Sequence, residues 1–512
     1  MTLGGNVSLV LGVDCSTTGC KAIVFDGAGQ RVAEGRAAIE LRNPEPDGWE
    51  QDANDWWRAL GAACREAMKQ VDEPGRLRAL CITHQRETVV LTDEAGKPIH
   101  PALVWMDKRG AAQVDRARSR LGEKRLRDLS GKPPCTTPSL YKLMALFDRL
   151  PALRRYAPRV LDVHAFLAWR LTGRCVTSLA SADPTGLVDM THRRWAPELC
   201  ALAGIEPGWL PELVEPGAIL GVVSDAAAEA CGLRAGLPVV AGAGDGQAAG
   251  LGAGIVAPGP AYLNLGTAVV SGVLSTDYRC DGAFRTLYGA IAGSYFLETD
   301  LQGGTFTIDW LVERFLGSGD GVGERPGDER LAGLEARAAA LPPGAEGLLL
   351  VPYWNGVMNP LWDDRASGVV VGWRGHHEPA HLYRAVLEGI AFEQRWHTEG
   401  VERAVGPIDE YVVMGGGSKS DLWCQILADV TQKAVVRAGT SEATALGAAI
   451  LAAVSSGLHA SETAATTAMT RRGKRFEPGS ATDPYDRLFG EVYCGLYERI
   501  QEPLQRLAAL RR

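Results

Sequence analysis

A chain of 512 residues is too long to fold around one hydrophobic core, so at least two domains are expected. Its 46% hydrophobic and 22% charged residues are those of a globular protein, and a net charge of −8 argues against nucleic acid or an anionic membrane as partner. No apolar run is long enough to span a bilayer, the first residues lack the basic start of a secretory signal, and the eleven cysteines stand singly without metal spacing, which predicts reduced thiols and a cytoplasmic setting.

Ser8 to Asp14, Ala22 to Phe25 and the run from Arg31 are short apolar segments, the last two separated by the turn Asp26-Gly-Ala-Gly29. They predict an antiparallel meander. The first connection, Asp14-Cys-Ser-Thr-Thr-Gly-Cys-Lys21, ends a strand in an acid and continues in small and hydroxyl residues. Amides and hydroxyls at Thr17 and Thr18 suit phosphate oxygens, and Asp14 suits a magnesium ion, directly or through water. A plain polar hairpin has the same composition. Cys15 and Cys20 flank this turn and read as small packed strand residues.

Asp52 is placed to cap a helix whose apolar positions are Trp56, Trp57, Leu60, Ala63, Cys64 and Ala67. Strands follow at Leu77 to Thr83 and Thr88 to Leu91, then a helix near Leu140 to Leu150; the alternation indicates an α/β domain. Between those strands, Arg86 and Glu87 offer a donor fork beside an acceptor, which suits vicinal hydroxyls as well as a simple surface ion pair. Trp105 and Asp107 combine an aromatic with an acid and either line a sugar site or pack and cap.

Ala241-Gly-Ala-Gly-Asp-Gly-Gln-Ala-Ala-Gly250 sets one acid, Asp245, among small residues that let a ligand approach closely. A phosphoryl acceptor needs a carboxylate within reach of its attacking hydroxyl. The Gly- and Pro-rich run at 250–260 marks a boundary or hinge, giving expected domains of residues 1–254 and 255–512. Beyond it the opening layout recurs, with two strands from Tyr262 to Val273 around a Gly266-Thr267 turn that again suits phosphate. Helices are expected at Thr305 to Phe315, His381 to Val401, Ser420 to Thr431 and Ala443 to Val454, and one long final helix from about Tyr485. Residues 316–346 read as a variable surface segment. Gly415-Gly-Gly417 follows a strand and precedes a helix, so Gly416 and Gly417 can admit a flat ring or a phosphate, with Asp421 at the helix start as binder or cap. The spacing is not that of a Rossmann fingerprint. Two phosphate-type turns, a lone acid and a hydroxyl-binding pair point to transfer of a phosphoryl group to a small molecule.

In this order, the motifs at 12–19, 48–52, 84–88, 104–107, 243–249, 265–267, 383–392, 415–429 and 442–449 resemble the FGGY carbohydrate kinases along nearly the whole chain. The resemblance implies two ribonuclease-H-like α/β domains of the actin and hexokinase type flanking an ATP and sugar cleft. It also implies Asp245 as catalytic base and Asp14 with Asp245 on the Mg2+. Thr17, Thr18, Gly266 and Thr267 would lie on phosphate, Gly416, Gly417 and Asp421 on adenosine, and Arg86, Glu87, Trp105, Asp107 and Gly246 around the acceptor. The implied ligands are ATP, Mg2+ and a small sugar or polyol, with no nucleic acid or membrane partner and with room for a homodimer. Xylulose is the first acceptor to consider, glycerol the second, and another ketose, tetritol or pentitol the third. The chain departs from the family at Gly246, where Gln or Asn is usual, at Val270, where glycerol kinases have an aromatic, and around 132–137, where they have a tyrosine. A nucleotide-driven chaperone or filament protein of the same fold is the rival of another class, and Arg86, Glu87 and Asp245 together speak against it.

Overall fold

The computed structural model describes residues 8–315 and 328–510. Its frame is two mixed sheets of one design. The first runs through β1 (Leu9–Cys15), β2 (Gly19–Asp26), β3 (Arg31–Ala38), β4 (Leu77–His84), β5 (Ile219–Val222) and β6 (Pro238–Val240). In space the order is β3-β2-β1-β4-β6-β5. The meander β1-β2-β3 is antiparallel, β1, β4 and β6 are mutually parallel, and β5 closes the edge antiparallel.

The second sheet is built from β7 (Ala261–Leu265), β8 (Val269–Ser275), β9 (Arg285–Tyr288), β10 (Tyr295–Leu301), β11 (Glu410–Met414), β12 (Ala434–Ala438) and β13 (Arg472–Phe476). Its order β10-β8-β7-β11-β12-β13 repeats the first sheet strand for strand and direction for direction, with β9 added outside β10. The recurrence read from the layout of the two halves is therefore a recurrence of topology. The protein is a two-domain α/β fold.

Helix α1 (Ala53–Met68) starts where its cap was expected, Asp52 accepting from the Asn54 amide, and buries Trp56, Leu60, Cys64 and Ala67 against the first sheet. Helix α2 (Asp245–Gly252) follows β6 directly. The 27-residue α3 (Pro379–Val405) and α4 (Asp421–Thr431) cover the second sheet. Helix α5 (Ala443–Ser455) comes from the second half of the chain, yet packs its alanines against Val10, Ile23 and Ala79 of the first sheet. Small residues make that possible: a side-chain carbon at Gly447 would fall 1.9 Å from the Ala248 carbonyl oxygen, so α5 and α2 touch backbone to backbone. The two halves are thus locked together by a crossing helix. The chain between β4 and β5 builds a further lobe with the helix Ser139–Arg149 and three strands of a small four-stranded sheet, whose fourth strand, Glu50–Gln51, precedes α1.

Two expectations are corrected. The C-terminal segment is not one helix: Thr482–Leu488 passes through a wider turn at Phe489–Tyr493 before Leu496–Leu510, and this bend turns Phe489 and Tyr493 onto Phe392 of α3. The segment 316–346 is only partly surface. Residues 316–327 lie outside the described residues, but Asp328–Ala339 is helical and buries Leu334 and Ala338 in the core of the second half. The eleven cysteines are all unpaired thiols, Cys15 and Cys20 facing each other across β1 and β2 in the interior. Among the described residues no helix is long and apolar enough to cross a membrane.

Candidate active site between the two sheets

In an open parallel sheet, ligands collect beyond the carboxyl ends of the strands. Here three neighbouring parallel strands bring the separate sequence motifs to one edge. Asp14 lies opposite Thr83 in the β1–β4 register, Arg86 and Glu87 follow β4, and a bridge between His84 and Gly244 carries the chain from β6 into Asp245. In the second sheet the parallel pair β7–β11 sets Asn264 beside Met414, so the Gly266-Thr267 turn and Gly415 to Gly417 are neighbours. The hairpins holding Thr17 and Thr18 and holding Gly266 and Thr267 are equivalent in the two sheets, and Thr18 and Thr267 are exposed at their tips.

Asp245 is the first residue of α2, where the helix dipole favours a negative charge. Its Oδ1 accepts from the Gly246 amide at 2.8 Å and lies 2.8 Å from Arg86 Nε. The side chain keeps 41% of its surface, and both of these contacts fall on Oδ1. The glycines around it are there for space. A side-chain carbon at Gly244 would meet the Arg86 methylenes at 2.4 Å, and one at Gly246 would meet Glu298 Oε2 at 2.6 Å. From behind, the Gly242 amide donates to His164 Nε2 at 3.1 Å; burial, and then His84, push the His164 pKa down to about 3 and keep that nitrogen an acceptor.

Asp14 complements Asp245. Its Oδ1 is buried without a hydrogen-bond partner, and burial followed by the charge of Asp245 raises its pKa to about 7. Lys21, its cross-strand neighbour, pairs instead with Glu442 at the start of α5, 2.9 Å away.

Arg86 and Glu87 do not pair with each other. Each is bound across the cleft by the second domain. Arg86 Nη1 contacts both oxygens of Glu298, at 2.9 and 2.8 Å, and Glu298 also accepts from Tyr262 and Arg285. Arg285 Nη1 lies 3.1 Å from Glu87 Oε1, and its Nη2 lies 3.5 Å from Asp300 Oδ2. All of these side chains but Asp245 are buried, so the pairs form in a medium where unpaired charge is costly. Burial alone would raise the Glu298 pKa, but Arg86 and Arg285 beside it bring it down to about 2. Asp300 goes the other way, raised by burial to about 6, with Oδ1 lacking any partner.

The remaining expected residues divide. Trp105 donates its indole N–H to Thr17 Oγ1 at 2.9 Å, tying the acceptor side to the first phosphate-type hairpin. Asp107 does not reach the group around Asp245. It accepts from the Trp49 amide and pairs with Arg109, which also binds Glu45 and Glu50. A cavity of about 250 Å³ beside this cluster is likewise away from Asp245 and Arg86. Gly416 faces open space, whereas Gly417 is pressed on Trp423. Asp421 is taken up by Arg437 and Lys474, and the cap of α4 is Ser420, which accepts from the Trp423 amide.

Glu298, Arg285, Asp300 and Tyr262 escaped the sequence reading. The available signal was the strand Tyr295–Leu301, YFLETDL, every position of which is buried although two are acids. Alternation puts Glu298 and Asp300 on one face, and Arg285 is the direct cross-strand partner of Glu298.

Two sheets of one topology, each with a phosphate-type hairpin at its strand ends and with Asp245 beside Asp14 of the first, form a layout suited to phosphoryl transfer. The comparisons agree. Residues 9–252 match the N-terminal domain of the FGGY family of carbohydrate kinases and residues 261–456 match its C-terminal domain. Glycerol kinase of Thermococcus onnurineus is 33% identical over 456 residues, covering 86% of this chain and 88% of that protein. The crystal structure of xylulose kinase from Rhodospirillum rubrum superposes with a TM-score of 0.88 at 29% identity, covering 97% of this chain and 99% of that one. Gluconate kinase from Lactobacillus acidophilus shares the fold, with a TM-score of 0.89 at 21% identity and 96% and 98% coverage. The chain belongs to the FGGY carbohydrate kinases, which are sugar and polyol phosphotransferases using ATP.

Proposed function

We propose that the chain transfers the terminal phosphoryl group of ATP to a hydroxyl of a small neutral polyol or ketose, with a ketopentose such as xylulose as first candidate and glycerol or another polyol next. The observation that carries this reading is Asp245, one oxygen held by Arg86 and the Gly246 amide in a side chain that keeps 41% of its surface exposed. Oδ2 accepts the proton of the attacking hydroxyl as the bond to phosphorus forms. Thr17, Thr18, Gly266 and Thr267 embrace the phosphates from the two hairpins, and Gly416, Gly417 and the start of α4 take the adenosine.

A neutral acceptor follows from charge. Among the described residues Arg86 and Arg285 are the cations paired with four carboxylates, Asp245, Glu87, Glu298 and Asp300; the buried Lys142 and Lys132 also act on Glu87, but Lys132 is paired with a fifth carboxylate, Asp183, so acids still outnumber cations. An aldonate would add a further anion to a site already in deficit, whereas hydroxyls donate to its free oxygens. The residues also fit Mg2+. Asp14 offers a buried oxygen without a partner beside Asp245, hard donors for a hard cation, and no larger group of metal-binding side chains occurs among the described residues. The ion would supply neutralisation of the phosphate charge.

The test is coupled ADP release with Mg-ATP across xylulose, ribulose, erythritol, arabinitol, xylitol, glycerol and gluconate, beside Asp245→Asn. Stimulation by one of the neutral compounds that vanishes in Asp245→Asn is expected. Equal turnover in Asp245→Asn overturns the base, and preferred turnover of gluconate overturns the neutral acceptor.

A further inference from the structure

Gly246 occupies a position where the family resemblance expects a longer side chain toward the acceptor. In this protein the space is taken: a carbon added at Gly246 would lie 2.6 Å from Glu298 Oε2 and 3.0 Å from the Arg86 guanidinium carbon. Glu298 stands on β10 of the opposite domain, with none of its side chain exposed, and binds Arg86 through both oxygens. Its cross-strand neighbour Arg285 reaches Glu87. Both residues of the hydroxyl-binding pair are therefore held in place from across the cleft, while the helix carrying Asp245 contributes no side chain of its own at 246. Tyr262, donating to Glu298 Oε2 at 2.6 Å, leaves that carboxylate no freedom to swing away.

We propose that Glu298 and Arg285 are the positioning residues that set acceptor selectivity in this enzyme. Glu298 fills the volume vacated at Gly246, and the two together orient Arg86 and Glu87. The length of acceptor that fits beside Asp245 is then decided by the second domain. This rests on the phosphotransfer reading above and adds to it where specificity resides.

The experiment compares kcat/KM for glycerol, erythritol and xylulose in the wild type, Glu298→Gln, Gly246→Asn, and Glu298→Ala with and without Gly246→Asn. The ratio between acceptors is independent of how much of a variant is correctly folded, so a merely structural role does not move it. The loss or relocation of one charge-assisted contact predicts that the ratio shifts by about tenfold or more in Glu298→Gln and in the Glu298→Ala/Gly246→Asn pair. Gly246→Asn alone should lower the melting temperature, and Glu298→Ala should relieve that loss by opening the space. Ratios within about twofold of wild type in both variants overturn the proposal. So does a Gly246→Asn effect on melting that is the same with and without Glu298. If the wild type phosphorylates none of the compounds in the wider acceptor panel while the melting cycle shows coupling, the phosphotransfer reading has failed and the selectivity proposal falls with it. If it phosphorylates two or more and the ratios stay fixed, only the present proposal has failed.

Discussion

Arg86 Nε lies 2.8 Å from Asp245 Oδ1, and this contact occupies one oxygen of the carboxylate proposed as the base. The Gly246 amide binds the same oxygen, so the carboxylate is fixed in direction. A base that needs no reorientation at the moment of transfer is the gain.

Asp245→Asn keeps the shape of the site and removes the proton acceptor. Turnover with the best acceptor should fall by about 10²–10⁴-fold, the range for a positioned general base. Binding of ADP, followed calorimetrically, should be retained. Turnover close to wild type would remove Asp245 from the chemistry.

Arg86→Leu should be damaging beyond catalysis. It leaves Glu298, wholly buried, with Arg285 as its one remaining cation and leaves Asp245 without its guanidinium. Breaking a buried pair from one side costs about 3–5 kcal/mol, readable as a lower midpoint in urea. Adding Glu298→Gln should return part of that stability without returning activity.

Asp300 gives the site a pH signature. Its pKa is raised to about 6 by burial, so the folded state binds its proton more tightly than the unfolded chain does. Its contribution to stability is complete below the ordinary carboxylate pKa and is lost as pH rises through about 6. Asp300→Asn does not titrate. The melting temperature of the variant relative to wild type should therefore climb between acid and neutral pH and level off beyond it. A constant difference across that window would contradict the assignment.

Trp105→Phe removes the indole bond to Thr17 Oγ1 while keeping an aromatic ring. One hydrogen bond of about 1 kcal/mol corresponds to about fivefold, and the loss should appear in the KM for ATP, since Thr17 lies on the hairpin proposed to hold phosphate. An effect confined to the acceptor KM would place Trp105 on the sugar alone.

Local patterns announced most of the frame. The cap at Asp52, the meander from Ser8 and the helices near Leu140 and at 443–454 were legible because alternation, helical spacing and capping chemistry act over a few residues. The bend after Leu488 was not, because nothing local marks it; it exists to bring Phe489 and Tyr493 onto Phe392. Asp107 shows the converse. Its motif suggested a sugar ligand, and only the approach of Arg109, Glu45 and Glu50 shows where its charge is spent.

By itself the sequence determined the family, the two repeated halves and the positions of Asp14, Arg86 and Asp245, since each depends on a short motif and its order along the chain. Only the tertiary structure decided what those residues face. Arg86 and Glu298 are 212 positions apart, and Glu87 and Arg285 are 198 apart. No pattern in either segment specifies the other, because an ion pair across a cleft is fixed by how two sheets are held together. Here that is the work of a helix of small residues crossing from one half to the other.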